Sequence, residues 1–456
     1  MNATRLGAAS REPHPEVPLP RQRTLKGLGR STRRGLSRAL EPPRLRSTAA
    51  VFTTMSALAA TSLLSAPSVA EPFSTEPCAL QRTGAHHSEG VDTWNAAYPR
   101  PTRALNAVMV FLSFPDSTPL TTPAELTADH FPVTSEFFRR TSYGRFTLTA
   151  HAMRQWVRMP RPSTAYRIQR DWSASLRSLY LRDALRAADD QVDFSRYDIV
   201  YFVADPDAPG VDSDATKVVN LDAPLRADGA DIRRVVTVFE RHPPDRLVLA
   251  HETGHVFDLP DLYHRPADGK GDWDTYVGDW DMMGSQFGLA PDLFGWHKWK
   301  LGWLQPRQVV CVQRPTRLTL EPLGAGPGVP VPGAAGAPAF GLGDGTKLAV
   351  VRTGPDSALA FEVRDPVGND SMACRAGVLV YRVRSTTESG RGPVEVIDAH
   401  PHTQACWEDS VYPPLADAPV SLGESFTVPG DGVRVEVEDR SASGTWTVTI
   451  TPGVTG

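Results

Sequence analysis

Residues 245–257 read DRLVLAHETGHVF, and the fold and chemistry of the chain are read outward from them. Pro243-Pro244 precede the stretch and Asp245 can cap it, so a helix is expected to open here. His251 and His255 are four residues apart and share one helix face, where two imidazoles can reach one metal ion. Glu252 points about 100° round the helix from His251, which sets its carboxylate beside such an ion rather than on it. Two neutral imidazoles leave zinc strongly Lewis-acidic, and the adjacent carboxylate can take a proton from water.

A third ligand is expected just beyond the helix. Pro260 stops regular continuation, so the chain can turn and bring Asp261 back under the two histidines. Two histidines and one carboxylate leave a fourth position for water, as a hydrolytic site needs. Asp258 is the competing carboxylate. On a continued helix it would stand about 10.5 Å along the axis from His251, too far for both to hold one ion with ease.

The wider motif HETGHVFDLPDLYH (251–264), with GDWDMMG (278–284) and FGWHKWKLGW (294–303), resembles the secreted immune inhibitor A-type zinc metalloproteases. FLSFPD (111–116), SYGRFTL (142–148) and VDFSRYDIVYFV (192–203) are similar to the same family's catalytic domain. The resemblance covers roughly residues 100–305, with a looser likeness beyond. It implies a zincin fold related to the metzincins and a zinc endopeptidase acting on proteins or peptides. The implied ligands are His251, His255 and Asp261, the general base is Glu252, and Met283 is the methionine of the turn that floors the metal site. Asp258 departs from the family pattern, which has glycine there because the helix ends with positive φ; aspartate is among the few other residues that tolerate it.

Other candidates carry weaker signals. His264, His297, Tyr263 and Tyr276 could contact substrate or a developing oxyanion. Asp268, Asp272 and Asp274 are oxygen-rich and glycine-spaced, as calcium loops are, without matching the EF-hand spacing.

Around this centre the chain reads as a mixture of strands and helices. Asn106–Phe114, Tyr197–Val203 and Val235–Phe239 are apolar runs expected as buried strands, and Phe146–Thr149 is a further strand. Ser135–Tyr143 and Leu176–Asp189 have helical spacing, and Gly144 should stop the first. An extended peptide is expected to add as a strand beside Val235–Phe239. The expectation is an α+β zincin-like catalytic domain over 101–305, built on a mixed twisted sheet with an active-site helix, followed by a C-terminal β-sandwich-like domain over 306–456. Short Val-rich strands are expected at 348–352, 359–363, 377–383, 394–397, 433–437 and 445–450, after a Gly/Pro-rich loop at 323–345.

The chain has 456 residues and a net charge of −4, which conceals an asymmetry. Residues 1–46 carry a balance of +8, residues 47–70 are uncharged, and residues 71–456 carry −12. The basic stretch, the uncharged run and the closing Ser68-Val69-Ala70 read as an export signal over 1–70, and 71–100 as the first segment of the mature chain. Nine of the 24 residues in 47–70 are Ser or Thr, too polar a run for a retained membrane anchor. An acidic mature protein is a poor ligand for nucleic acid or an anionic membrane surface. Four cysteines without a C-x-x-C pair suit a secreted protein. Four cysteines allow three pairings, which the sequence leaves open; Cys374–Cys406 with Cys78–Cys311 is the one expected. Two other readings stay open: a zincin-fold protein with little turnover whose β domain binds partners, and a zinc hydrolase acting on a non-peptide amide.

Overall fold

The computed structural model describes residues 78–84, 89–266, 270–327 and 342–453. All of them belong to the unit Val69–Gly456. The expected export signal, Asp268 and most of the Gly/Pro-rich loop lie outside the described residues. The architecture is mixed α/β with three sheets, and among the described residues no helix is long and apolar enough to cross a membrane.

The first sheet holds β1 (Ala104–Ser113), β2 (Thr147–Ala152), β3 (Val157–Arg158), β4 (Ile199–Ala204), β5 (Lys217–Ala227) and β6 (Ala230–Val238). Its order is β2-β1-β4-β6-β5, with β3 also paired to β1. All pairs are parallel except β5 with β6. The apolar runs in β1 and β4 follow from burial on both faces. Leu105, Ala107, Met109 and Phe111 face one core, and Val108, Val110 and Leu112 face the other, the period of two that a pleated strand imposes. The helix Ala174–Ala188, capped by Ser173, buries Tyr180, Leu181, Ala184 and Leu185 on the second face. The helix Val248–Val256 lies on the first. Helix Val133–Thr141 starts and ends two residues earlier than expected, and Tyr143 at φ +56 and Gly144 at φ +75 turn the chain after it.

Three sequence expectations need correction here. The strand at 235–239 begins five residues earlier and is interior, so it offers no free edge; the edge on its side of the sheet is β5 (Lys217–Ala227). Its mixed composition hid it from a search for apolar runs, but Asp228-Gly229 at φ 51° and 74° form the two-residue turn that joins it to β6. The helix starts at Val248 rather than Asp245. Asp245 does not cap it: Leu247 at φ +60 holds the N-cap position, and Gln286 donates to the Asp245 carboxylate.

The C-terminal strands form two sheets whose facing side chains share one core. One sheet runs in the order β12 (Val394–Val396), β11 (Gly377–Arg384), β10 (Ser357–Arg364), β9 (Leu348–Arg352) and β7 (Val309–Cys311). The other runs β13 (Ser425–Thr427), β14 (Arg434–Arg440), β15 (Trp446–Thr451) and β8 (Thr316–Leu320). Ala349, Val351, Leu359 and Phe361 face the sandwich core. Their neighbours Leu348, Val350, Ala358 and Ala360 face the core that also holds Trp280, Met283 and Trp296. The two regions therefore share a core. Disulfides join Cys78 to Cys311 and Cys374 to Cys406, the pairing expected, with Cα separations of 5.7 and 6.1 Å.

Candidate metal centre

The helix Val248–Val256 presents His251 and His255 one turn apart, with ring centroids 5.0 Å from each other. His251 Nδ1 lies 3.0 Å from the Met282 carbonyl and His255 Nδ1 lies 2.7 Å from the Leu259 carbonyl. A carbonyl only accepts, so each Nδ1 carries a proton, and Nε2 is the nitrogen each ring turns outward.

Those Nε2 atoms meet a carboxylate. Asp261 Oδ1 stands 3.3 Å from His251 Nε2 and 3.0 Å from His255 Nε2. The oxygen is buried yet receives no well-directed hydrogen bond. Three ligand-type atoms within 4.8 Å of one another, two of them ring nitrogens whose orientation is fixed from the Nδ1 side, make a donor set that fits a divalent cation once the rings are neutral. Among the described residues it is the one such group of three. With no cation, burial pushes His255 down but the facing Asp261 carboxylate outweighs it, to about 10. Burial pushes Asp261 up, and the two imidazoles outweigh that and hold it far below the carboxylate range.

Glu252 lies on the same helix and lines the same cavity of about 490 Å³ as His251 and Tyr263. The amide of Val218, on edge strand β5, donates to Glu252 Oε2 at 2.6 Å. Burial raises the Glu252 carboxyl above its usual value, partly offset by His255 and His251, which is the direction a proton-accepting group near neutral pH needs. Met283 lies beneath the helix: a Cβ on Gly254 would come 2.5 Å from its sulfur. The Met283 carbonyl accepts from the Leu262 amide, tying the floor to the turn that carries Asp261.

Asp258 is not among the converging groups. It adopts φ +69, the conformation for which glycine is usual, and its carboxylate turns away to Lys300 at 2.9 Å and Arg82 at 3.3 Å. Tyr263 does reach the site; its ring stacks on His251 at 6.3 Å. Burial, with the Asp261 carboxylate beside it, pushes its hydroxyl above the usual value.

Other sequence candidates lie elsewhere. His297 is fully enclosed, with Nδ1 3.1 Å from Asp281 Oδ2, so it braces the methionine turn and cannot meet substrate. Asp281 also accepts from the Met283 amide, which completes that brace. Tyr276 and His264 pack edge to face at 5.1 Å, and neither lines a cavity at the metal cluster. Asp274 caps its own turn by donating its amide to Asp272, and the pair recruits no third acidic ligand among the described residues.

Sequence reading missed Val218, Ser389 and Lys300. Val218 and Lys300 act here through a backbone amide and a long-range ion pair, which no local spacing encodes. Ser389 sits 128 residues from Asp261 and carries no motif. No known family model matches the chain, and no curated protein sequence matches it.

Proposed function

We propose that the protein is a secreted zinc-dependent endopeptidase with a zincin-type catalytic half similar to the immune inhibitor A proteases. One observation carries this reading: His251, His255 and Asp261 converge, one ligand atom each, and Glu252 lines the same cavity of about 240 Å³. The two disulfides are in keeping with an oxidising, extracellular setting.

His251, His255 and Asp261 would hold the ion, and zinc so held supplies the Lewis acidity that makes water nucleophilic near neutral pH. Glu252 accepts the proton from the attacking water and returns it to the leaving amine. Tyr263, against His251, is positioned to donate towards a developing oxyanion. An extended peptide adds along the free edge of β5, whose Val218 amide already reaches Glu252. Asp258, the one departure from the family pattern, is occupied in an ion pair away from the chemistry.

The test is metal analysis of the purified protein with casein or gelatin digestion, with and without a chelator. Glu252→Ala should retain zinc and lose roughly two orders of magnitude or more in rate. Undiminished digestion by that variant removes Glu252 as the base. Zinc bound without any digestion by the wild type removes the peptidase reading.

A further inference from the structure

The turn carrying Asp261 is held from far away in the chain. The loop between β11 and β12 reaches it and pairs with it through the backbone: the Gly390 amide donates to the Asp261 carbonyl at 2.9 Å, and the Arg265 amide donates to the Gly390 carbonyl at 3.3 Å. Gly390 has φ +72, which lets the loop tip fold back onto the turn. The base of the loop is fixed where the Val396 amide donates to the Tyr276 carbonyl at 2.8 Å.

At the tip sits Ser389. Its Oγ accepts from the Asp261 amide at 2.9 Å and donates towards Asp261 Oδ2 at 3.5 Å. A hydroxyl has one proton and two lone pairs, so it can make both bonds at once. The two contacts fix the backbone of Asp261 and one carboxylate oxygen, which leaves the other oxygen, Oδ1, turned to the two imidazoles.

We propose that Ser389 is a positioning residue for Asp261, and that the C-terminal β region thereby completes the metal centre instead of serving as a separate binding module. The inference rests on the zinc reading above. The ligand turn at 258–264 contains Pro260 and is short of regular structure, so its own sequence does not fix the carboxylate. A partner that orients a ligating carboxylate typically accounts for 10–100-fold in metal affinity.

The test uses the full-length protein and reads zinc affinity by chelator competition, together with the visible spectrum of the cobalt-substituted form. Ser389→Ala should weaken zinc at least about tenfold and alter the cobalt spectrum, while the metal-free melting temperature stays close to wild type. Ser389→Thr keeps the hydroxyl and should restore both readouts. Arg391→Ala changes the same loop, where the Arg391 guanidinium donates to the Arg265 carbonyl, without touching Asp261, and should behave as wild type. Wild-type affinity in Ser389→Ala, an equal loss in Ser389→Thr, or an equal loss in Arg391→Ala each overturns the assignment of the hydroxyl. A wild-type protein that takes up no divalent ion removes the zinc reading and this inference together, a result distinct from the other three.

Discussion

The Asp258 carboxylate lies 2.9 Å from Lys300 Nζ, and both side chains are shut off from solvent. Lys300 also donates to the Asp258 carbonyl at 2.7 Å, so the lysine clasps the turn that follows the helix Val248–Val256. Burial pushes the Asp258 carboxyl above its usual range, with Lys300 and Arg82 acting against it. Removing either partner leaves a buried charge without its closest counterion. Lys300→Met should therefore cost about 3–5 kcal/mol in urea unfolding. Asp258→Gly relieves the positive φ but strands Lys300, so it too should destabilise. The double variant Asp258→Gly/Lys300→Met should recover most of the loss. Additive losses in the double variant would show that the pair is not the unit of stability.

Zinc affinity should separate the two aspartates of the turn. Asp261→Ala removes the oxygen that faces both imidazoles, and should exceed the 10–100-fold loss typical of an outer partner. Asp258→Ala should weaken zinc far less, because its carboxylate faces Lys300 and Arg82. Equilibrium competition with a colorimetric chelator, run at a temperature where both variants are folded, gives the ranking. The reverse order would move the third ligand to Asp258.

Gly254 lets the helix sit on the methionine turn. A Cβ there would come 2.5 Å from Met283 Sδ, and Met283 is wholly buried with little room to retreat. Gly254→Ala should cost about 1–3 kcal/mol through overpacking. Shortening the opposing side chain should shrink that penalty, so the cost of Gly254→Ala in a Met283→Ala background is the informative number. An unchanged cost would place the strain elsewhere.

Asp274 gives a pH signature independent of the metal. Burial, with Asp272 and Asp279 nearby, raises its carboxyl from 3.8 to about 6. Between those values the folded protein holds more protons than the unfolded chain, so stability from this group falls as pH rises through the window. The cost is fully present at pH 7 and absent below about pH 3.8. Partial exposure reduces it to about 1 kcal/mol. Asp274→Asn should thus melt higher than wild type at pH 7 and match it near pH 4. A variant that melts lower at pH 7 would indicate that the ionised carboxylate is stabilising, as it would be on a calcium ion.

Much of the architecture was legible because it is written locally. The runs around Val108–Leu112 and Val200–Val203 are apolar at every position, which marks strands buried on both faces. The alternating strands of the sandwich were legible for the same reason. Edge strand β5 was not, since every residue in it except Val219 is at least partly exposed, and its Asp-Gly turn was the remaining signal. His297 and Tyr276 looked available because sequence carries no burial; packing put one under the methionine turn and the other against His264.

By itself the sequence determined that His251 and His255 share a face, that Glu252 stands beside them, and that the runs at 106–114 and 197–203 are buried strands. Those are consequences of helical and pleated periods, which act over a few residues. The tertiary structure alone decided that Asp261 faces the imidazoles while Asp258 faces Lys300, that β5 is the open edge, and that Ser389 grips Asp261 across 128 residues of chain. Such pairings depend on how the C-terminal sheet packs against the core beneath the helix, and no repeat along the chain encodes that packing.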